Sequence, residues 1–249
     1  MNPTLELIAR RTSTRVYTDQ PITDAEKDAI LSATFRAPTG GNMMLYTIID
    51  VADQALKDRL AITCDDQPFI ARAPWVLVFL ADFQKWTDLF DAAGVADGQR
   101  RPPGLGDLML AASDALIAAQ NAVIAAESLG IGSCYIGDIL EMGEEHADLL
   151  ALPAHTLPIA MLCFGRPAVT REPVPRYTRH VVHTNGYERL DAVQLAETSA
   201  ELQEVHAPHG LPPGYTAYPQ VVHDRKYASD FMAEMNRSVS WWLERWQRG

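Results

Sequence analysis

The chain has 249 residues, 47% of them hydrophobic and 21% charged, with a formal net charge of −11. A globular chain of this length buries a large core without metal or disulfide staples. Its acidic balance argues against a nucleic-acid partner or an anionic membrane surface, because few cations are available to neutralise phosphates, so the cations that do cluster carry the information.

In chain order, residues 3–10 read as a short helix ending before Arg11, followed by an extended segment from Thr12 to Thr18. Thr23 and Glu26 form a capping-box signature for a helix that runs to about Arg36 and stops at Ala37-Pro38-Thr39-Gly40-Gly41. Leu45–Val51, Trp75–Ala81 and Pro158–Phe164 are apolar runs of strand length. A long helix is predicted over roughly 107–129, with Met109, Ala112, Leu116, Ala119, Val123 and Ala126 as its apolar seam. The alanines let another element approach closely, as in a central core helix or a subunit-interface helix. Asp114, Gln120, Asn121 and Glu127 interrupt this run and separate it from a membrane span. Gly130 to Gly137 then reads as a backbone-rich loop. The order helix, strand, strand, helix, strand is α+β and lacks the regular rhythm of a doubly wound sheet. From 183 the chain is polar and irregular until a final helix carrying Phe231, Met235, Trp241, Trp242 and Trp246. Residues 183–249 are therefore expected to extend a domain spanning 1–182 rather than to build a second core.

Cys64, Cys134 and Cys163 are an odd, widely spaced set without a CxxC pair, as expected of a reduced cytoplasmic protein without a zinc site or disulfides. The beginning, MNPTLELIAR, lacks the pattern of a signal peptide. His180/His183 and His206/His209 have a spacing used by metal pairs but no cysteine or acidic third ligand nearby, so no metal is expected.

Four stretches have chemistry to offer. In an extended Arg10–Arg15, the side chains of Arg11, Ser13 and Arg15 share one side, and two guanidiniums around a hydroxyl suit a phosphate monoester. A solvated basic patch at a helix end is the plain alternative. Pro38-Thr39-Gly40-Gly41-Asn42 frees the backbone to approach a ligand, or is simply a turn. Gly130–Gly137 fails the dinucleotide fingerprint because Tyr135 stands where the last glycine belongs. Arg166, Arg171 and Arg176 punctuate a proline-rich loop, where one of them would add charge to a phosphate site.

In this order, RRTSTRVY (10–17), RAPTGGN (36–42), QPFI (67–70), AAESLGIGSCYIG (125–137), Leu152-Pro153 and FGRP (164–167) resemble the nitroreductase family of flavoproteins over residues 5–176, most closely its larger, often NADPH-preferring branch. The resemblance implies a three-layer α+β sandwich, a central mainly antiparallel sheet flanked by helices, and an intertwined homodimer with FMN at the subunit interface. It implies hydride transfer from NADPH or NADH to small flat acceptors (nitroaromatics, quinones, flavins) by a ping-pong mechanism. The flavin N5 carries the chemistry and no side chain serves as catalyst. By position, Arg11, Thr12, Ser13 and Arg15 match the family's N-terminal cofactor contacts, with Arg11 and Ser13 toward the phosphate. Pro38, Thr39 and Asn42 match the loop on the flavin's other side, Gln67 a contact to the ring edge, and Arg176 a late basic residue at the phosphate. Tyr135, Ile136, Gly137 and Asp138 match the segment running along the ring; Asp138 stands where the larger branch often has glycine. A flavin-binding module or redox sensor with little turnover is the competing reading. A specialised enzyme of the same fold would need a lid, for which 95–106 is the candidate. Arg225 and Lys226 fit either a solvated pair or a 2′-phosphate contact.

Overall fold

A computed structural model describes residues 2–249. The chain forms two compact units: residues up to Glu172 together with Met235–Gly249, and Pro173–Glu234. In the first unit α1 (Pro3–Arg10) and α2 (Asp24–Thr34) precede strand β1 (Tyr46–Asp50), and the Thr23–Glu26 capping box that starts α2 is formed. Then come α3 (Gln54–Thr63), α4 (Pro68–Arg72), β2 (Trp75–Asp82), α5 (Gln84–Ala92) and α6 (Leu105–Ser128). β3 (Gly132–Ile136), α7 (Gly143–Leu149) and β4 (Thr156–Gly165) follow. The second unit contains α8 (Ala192–His206) and α9 (Tyr218–Val222); α10 (Asp230–Arg248) brings the chain back into the first.

The four strands pair antiparallel in the order β1-β2-β4-β3. β2 is buried on both faces along its whole length, and its alternate residues serve two cores. Val76, Val78 and Leu80 pack with Cys163, Leu60, Ile70 and the α10 tryptophans Trp242 and Trp246. Trp75, Leu77 and Phe79 pack with Ile30 of α2 and the alanines of α6. Helices thus cover both faces of one sheet, the expected three-layer α+β arrangement.

Three expectations need correction. Gly130–Gly137 is not all loop: Gly132–Ile136 is an edge strand paired with β4. Its signal was masked because two glycines interrupt a run too short for periodicity to show. Within α6 the buried stripe is Leu108, Ala111, Ala115, Ala118, Ala119, Ala122, Val123 and Ala126; the second half of the predicted seam (Ala119, Val123 and Ala126) lies in it, whereas Met109 and Leu116 are 67% and 46% exposed. This helix is apolar on more than one side, so spacing alone does not say which face meets the sheet; close backbone approach selects the alanines. Residues 192–206, read as irregular, are helical with a capping box between Asp191 and Gln194. None of that helix is buried, so it carries no apolar stripe to betray it.

Candidate functional site

β3 and β4 place Gly132 and Gly165 directly opposite each other. A Cβ on Gly132 would overlap the Thr14 side chain, approaching its Cβ to 2.7 Å, and one on Gly165 would lie 2.8 Å from Tyr17 Cγ. The two glycines therefore cut a notch in the sheet edge, and the extended segment 12–18 seats Thr14 and Tyr17 in it. Ser13 pairs parallel with Ser133, the Thr14 N–H donates to the Ser133 carbonyl at 2.9 Å, and Tyr17 pairs with Pro167. The cationic segment is thus an added partial strand on β3.

This seating brings the predicted residues of the segment together. Arg11, Ser13 and Arg15 all act on the Cys134 thiol: burial pushes its pKa up, opposed by Arg15, a hydrogen bond with Ser13, and Arg11. Arg15 also lies over the Phe69 ring, 5.7 Å from its centroid, which links the segment to α4. Gln67 stands at the start of α4, where its Nε2 donates to the Cys64 carbonyl at 2.8 Å and its Oε1 has no hydrogen-bond partner among the described residues. Tyr135 is 37% exposed at the end of β3 and donates from its hydroxyl to Gln120 Oε1 at 3.3 Å; burial of its ring raises its pKa to about 12 against the opposing Arg11 charge. Ile136 points into the core at 1% exposure, so only its backbone faces this region. Gly137 caps the short turn Asp138–Leu140, whose Asp138 carboxylate is close enough to raise the Cys64 and Cys134 thiol pKa values.

Neither Arg11 nor Arg15 forms an ion pair or a hydrogen bond among the described residues, although Arg11 does feel the Glu127 carboxylate. In a chain with 32 acidic residues against 21 Lys and Arg, two neighbouring unpaired guanidiniums leave a local excess of positive charge. Arg166 is different: it pairs with Glu26 at 2.6 Å and donates to the Leu129 carbonyl, so it staples α2 to the end of α6. That removes it as the extra phosphate cation its loop position suggested. Arg176 belongs to the second unit and is exposed there.

Thr39 and Asn42 sit on a separate structure. The loop 39–45 is anchored by Asp114 of α6, 3% exposed, whose Oδ1 accepts the Gly40 N–H at 2.9 Å and whose Oδ2 accepts the Leu45 N–H at 3.1 Å. From α5, Trp86 Nε1 donates to the Met43 carbonyl at 2.9 Å, and Lys85 Nζ to the Met44 and Tyr46 carbonyls at 3.0 Å each. Thr39 Oγ1 accepts the Met44 N–H at 3.3 Å. These ties hold Gly41, Asn42 and Met44 at positive φ, a conformation that costs each non-glycine residue roughly 1–2 kcal/mol. Pro38 precedes the loop and is exposed. Sequence reasoning treated Asp114 only as an interruption of an apolar helix; a lone carboxylate on the small-residue face was the available signal. Lys85 and Trp86 had no local signal at all, and Thr14, Gly132 and Gly165 stood inside the motifs that carry the resemblance without a role of their own.

Next to this loop, Met43, Leu110, Phe83 and Phe90 line a cavity of about 1130 Å³, closed on one side by the segment containing Arg100 to Pro103. The 95–106 stretch singled out as a candidate lid therefore borders a real cavity.

A model of the nitroreductase family matches residues 8–166. An oxygen-insensitive NADPH nitroreductase of Salmonella typhimurium is 36% identical over 84% of this chain and 85% of its own length. A Bacillus subtilis FMN reductase (NADPH) is 34% identical over 75% of each. Among solved structures, the NADPH:FMN oxidoreductase of Vibrio harveyi complexed with NAD+ superimposes with a TM-score of 0.78 at 26% identity, covering 96% of this chain and 98% of that one.

Proposed function

The chain belongs to the nitroreductase family, and from that premise we propose that it is an FMN-dependent oxidoreductase that uses NADPH or NADH to reduce small flat acceptors such as nitroaromatics, quinones or flavins. The observation that carries this reading is the pair Arg11 and Arg15, without an ion pair among the described residues, on either side of Ser13 at the edge of β3. A mononucleotide ends in a phosphate dianion, and two forked cations around a hydroxyl are its natural complement. The fit extends along the cluster, where Gln67 Oε1, the exposed Tyr135 ring and the Tyr135–Asp138 backbone supply polar and flat contacts. Arg11 and Ser13 hold the phosphate, with Thr12 beside them. Arg15, steadied on Phe69, supplies positive charge that favours the reduced, anionic ring. When bound, FMN supplies the two-electron carrier between nicotinamide and acceptor, while the protein supplies position and electrostatics.

Pro38, Thr39 and Asn42 belong to this site through a second copy of the chain. Their loop has its own anchors on α5 and α6, apart from the arginine cluster. Met109, Leu116 and Ile117 are exposed apolar residues of α6 in the same region. A symmetric dimer that buries this face would set one copy's loop against the other's arginines. Arg176 is the remaining cation assigned to the phosphate, by position in the family. The three cysteines are free and buried, in keeping with the cytoplasm.

The purified protein should be yellow, and NADPH or NADH should bleach its visible band under anaerobic conditions. Colourless protein that refuses added FMN ends this reading. Asp138 favours one alternative, a flavin-binding module with little turnover, because a carboxylate near the ring opposes added negative charge; a band that persists with both nicotinamides selects it.

A further inference from the structure

The three thiols have no part in the flavin chemistry described above, yet two of them face each other. Cys134 of β3 and Cys163 of β4 are direct partners in the antiparallel register, and both side chains belong to the core that contains Trp242 and Trp246. Direct antiparallel partners point to the same face with Cα atoms about 4.5–5.5 Å apart, inside the roughly 4.4–6.8 Å that a disulfide spans. Both cysteines are free. Burial first, then the Cys134 and Cys64 thiols, push the pKa of Cys163 up; burial, then Cys163 and Cys134, do the same to Tyr17. Cys64 caps the end of α3 and has no register partner in the sheet. The facing pair also lies under the cationic segment. Ser13, Arg15 and Tyr17 alternate along residues 12–18: Ser13 hydrogen-bonds the Cys134 thiol, Arg15 acts on it by charge, and Tyr17 feels both thiols. Arg15 and Arg11 favour the Cys134 thiolate, the form that reacts with oxidants. Arg15 and Val16 of the covering segment are exposed, so a molecule as small as hydrogen peroxide has a short way to travel.

We propose that Cys134 and Cys163 are a peroxide-sensitive dithiol whose oxidation closes a cross-strand disulfide and loosens the flavin-binding segment. The Cys134 thiolate attacks hydrogen peroxide: an S–O bond forms, the O–O bond breaks, and the departing hydroxide takes up a proton and leaves as water. The Cys163 sulfur then displaces the hydroxyl from the resulting sulfenic acid, so the S–S bond forms, the S–O bond breaks, and a second water leaves. Two electrons pass from the two sulfurs to the peroxide, which ends as two waters. A dithiol reductant reverses the change by exchange. Closing the bond takes from Ser13 the thiol it hydrogen-bonds and ties Cys134 to β4, on the side away from the segment that carries Arg11 and Arg15. The effect on FMN rests on the flavoprotein reading, whereas the disulfide itself does not.

Peptide mapping of the folded protein after treatment with hydrogen peroxide tests this. Residues 102–165 contain no Lys or Arg, so trypsin leaves both cysteines on one fragment, but cleavage at Glu141, Glu144 and Glu145 separates them. After blocking of free thiols, mass spectrometry should show the Cys134 and Cys163 fragments joined until reduced, with Cys64 still a thiol. Cys64→Ala should keep the link and Cys163→Ala should lose it. In flavin-fluorescence titration of cofactor-free protein, the oxidised form should bind FMN about fivefold more weakly, the scale of one neutral hydrogen bond. Dithiothreitol should restore the affinity, and peroxide should leave the affinity of Cys163→Ala unchanged. Three thiols surviving peroxide, a link through Cys64, or Cys134 over-oxidised without a link each overturns the proposal, as does a link that forms with no change in FMN affinity. Protein that takes up no FMN in either form sinks the flavoprotein reading instead, and the mapping still decides the disulfide.

Discussion

Replacing Asp114 with alanine should loosen the 39–45 loop more than it destabilises the rest of the protein. The carboxylate is 3% exposed and accepts two backbone N–H groups, from Gly40 and Leu45. Hydrogen bonds to a charged group contribute about 1.5–3 kcal/mol each, so their joint loss has an upper bound near 3–6 kcal/mol. Two opposing effects reduce what is observed. Desolvating the carboxylate is costly in the native protein, and Asn42 and Met44 are held at positive φ, so the freed loop regains roughly 1–2 kcal/mol per relaxed residue. We expect a net loss of about 2–3 kcal/mol in urea unfolding. Amide exchange at Gly40 and Leu45 should accelerate by two or more orders of magnitude, beyond the global change. Asp114→Asn keeps one acceptor and should fall between. If the alanine variant lies within about 1 kcal/mol of the parent and both amides stay protected, the carboxylate is not the anchor.

Three other outcomes follow from the structure. Arg11→Ala should weaken FMN binding by about 1.5–3 kcal/mol, or roughly 10–150-fold by flavin-fluorescence titration, and should leave the melting temperature of cofactor-free protein within a degree or two, since Arg11 has no protein ion pair to lose. Gly132→Ala should lower FMN affinity without removing any cofactor contact, because its Cβ collides with Thr14 and pushes the arginine segment off β3; unchanged affinity speaks against the seating. His146 is fully buried, 2.9 Å from the Ile139 carbonyl and 2.7 Å from Thr63 Oγ1, and burial holds its pKa below the usual value of 6.5. The unfolded chain therefore takes up this proton first, so the contribution is complete above pH 6.5 and is lost as pH falls toward the depressed folded value. His146→Gln should flatten the decline in stability between about pH 7 and 5, and an unchanged slope counts against it.

Much of the frame was legible because its signals were local. Thr23 and Glu26 mark α2, the apolar runs mark β1, β2 and β4, and the alternation in residues 11–15 puts Arg11, Ser13 and Arg15 beside one thiol. The remainder depends on contacts distant in sequence. Nothing near Asp114 says that its oxygens meet Gly40 and Leu45, and nothing near Gly132 says that Thr14 needs its vacant side-chain volume. β3 is an edge strand with glycine at its head, and pairing with β4 rather than its own composition makes it extended. Only the first half of the α6 seam, Met109 and Leu116, was misassigned, for a related reason: periodicity gives the repeat, while the packing decides which residues of it are covered.

With FMN on the arginine segment as proposed, the opposed Gly132 and Gly165 make cofactor grip a property of four positions rather than two. Bulk gained at either glycine and bulk trimmed from Thr14 or Tyr17 are complementary changes, so their effects on flavin retention should compensate in pairs and fail to add. A designer wanting a looser or tighter flavoenzyme can therefore tune this joint by small volume swaps and never touch a residue that meets the ligand.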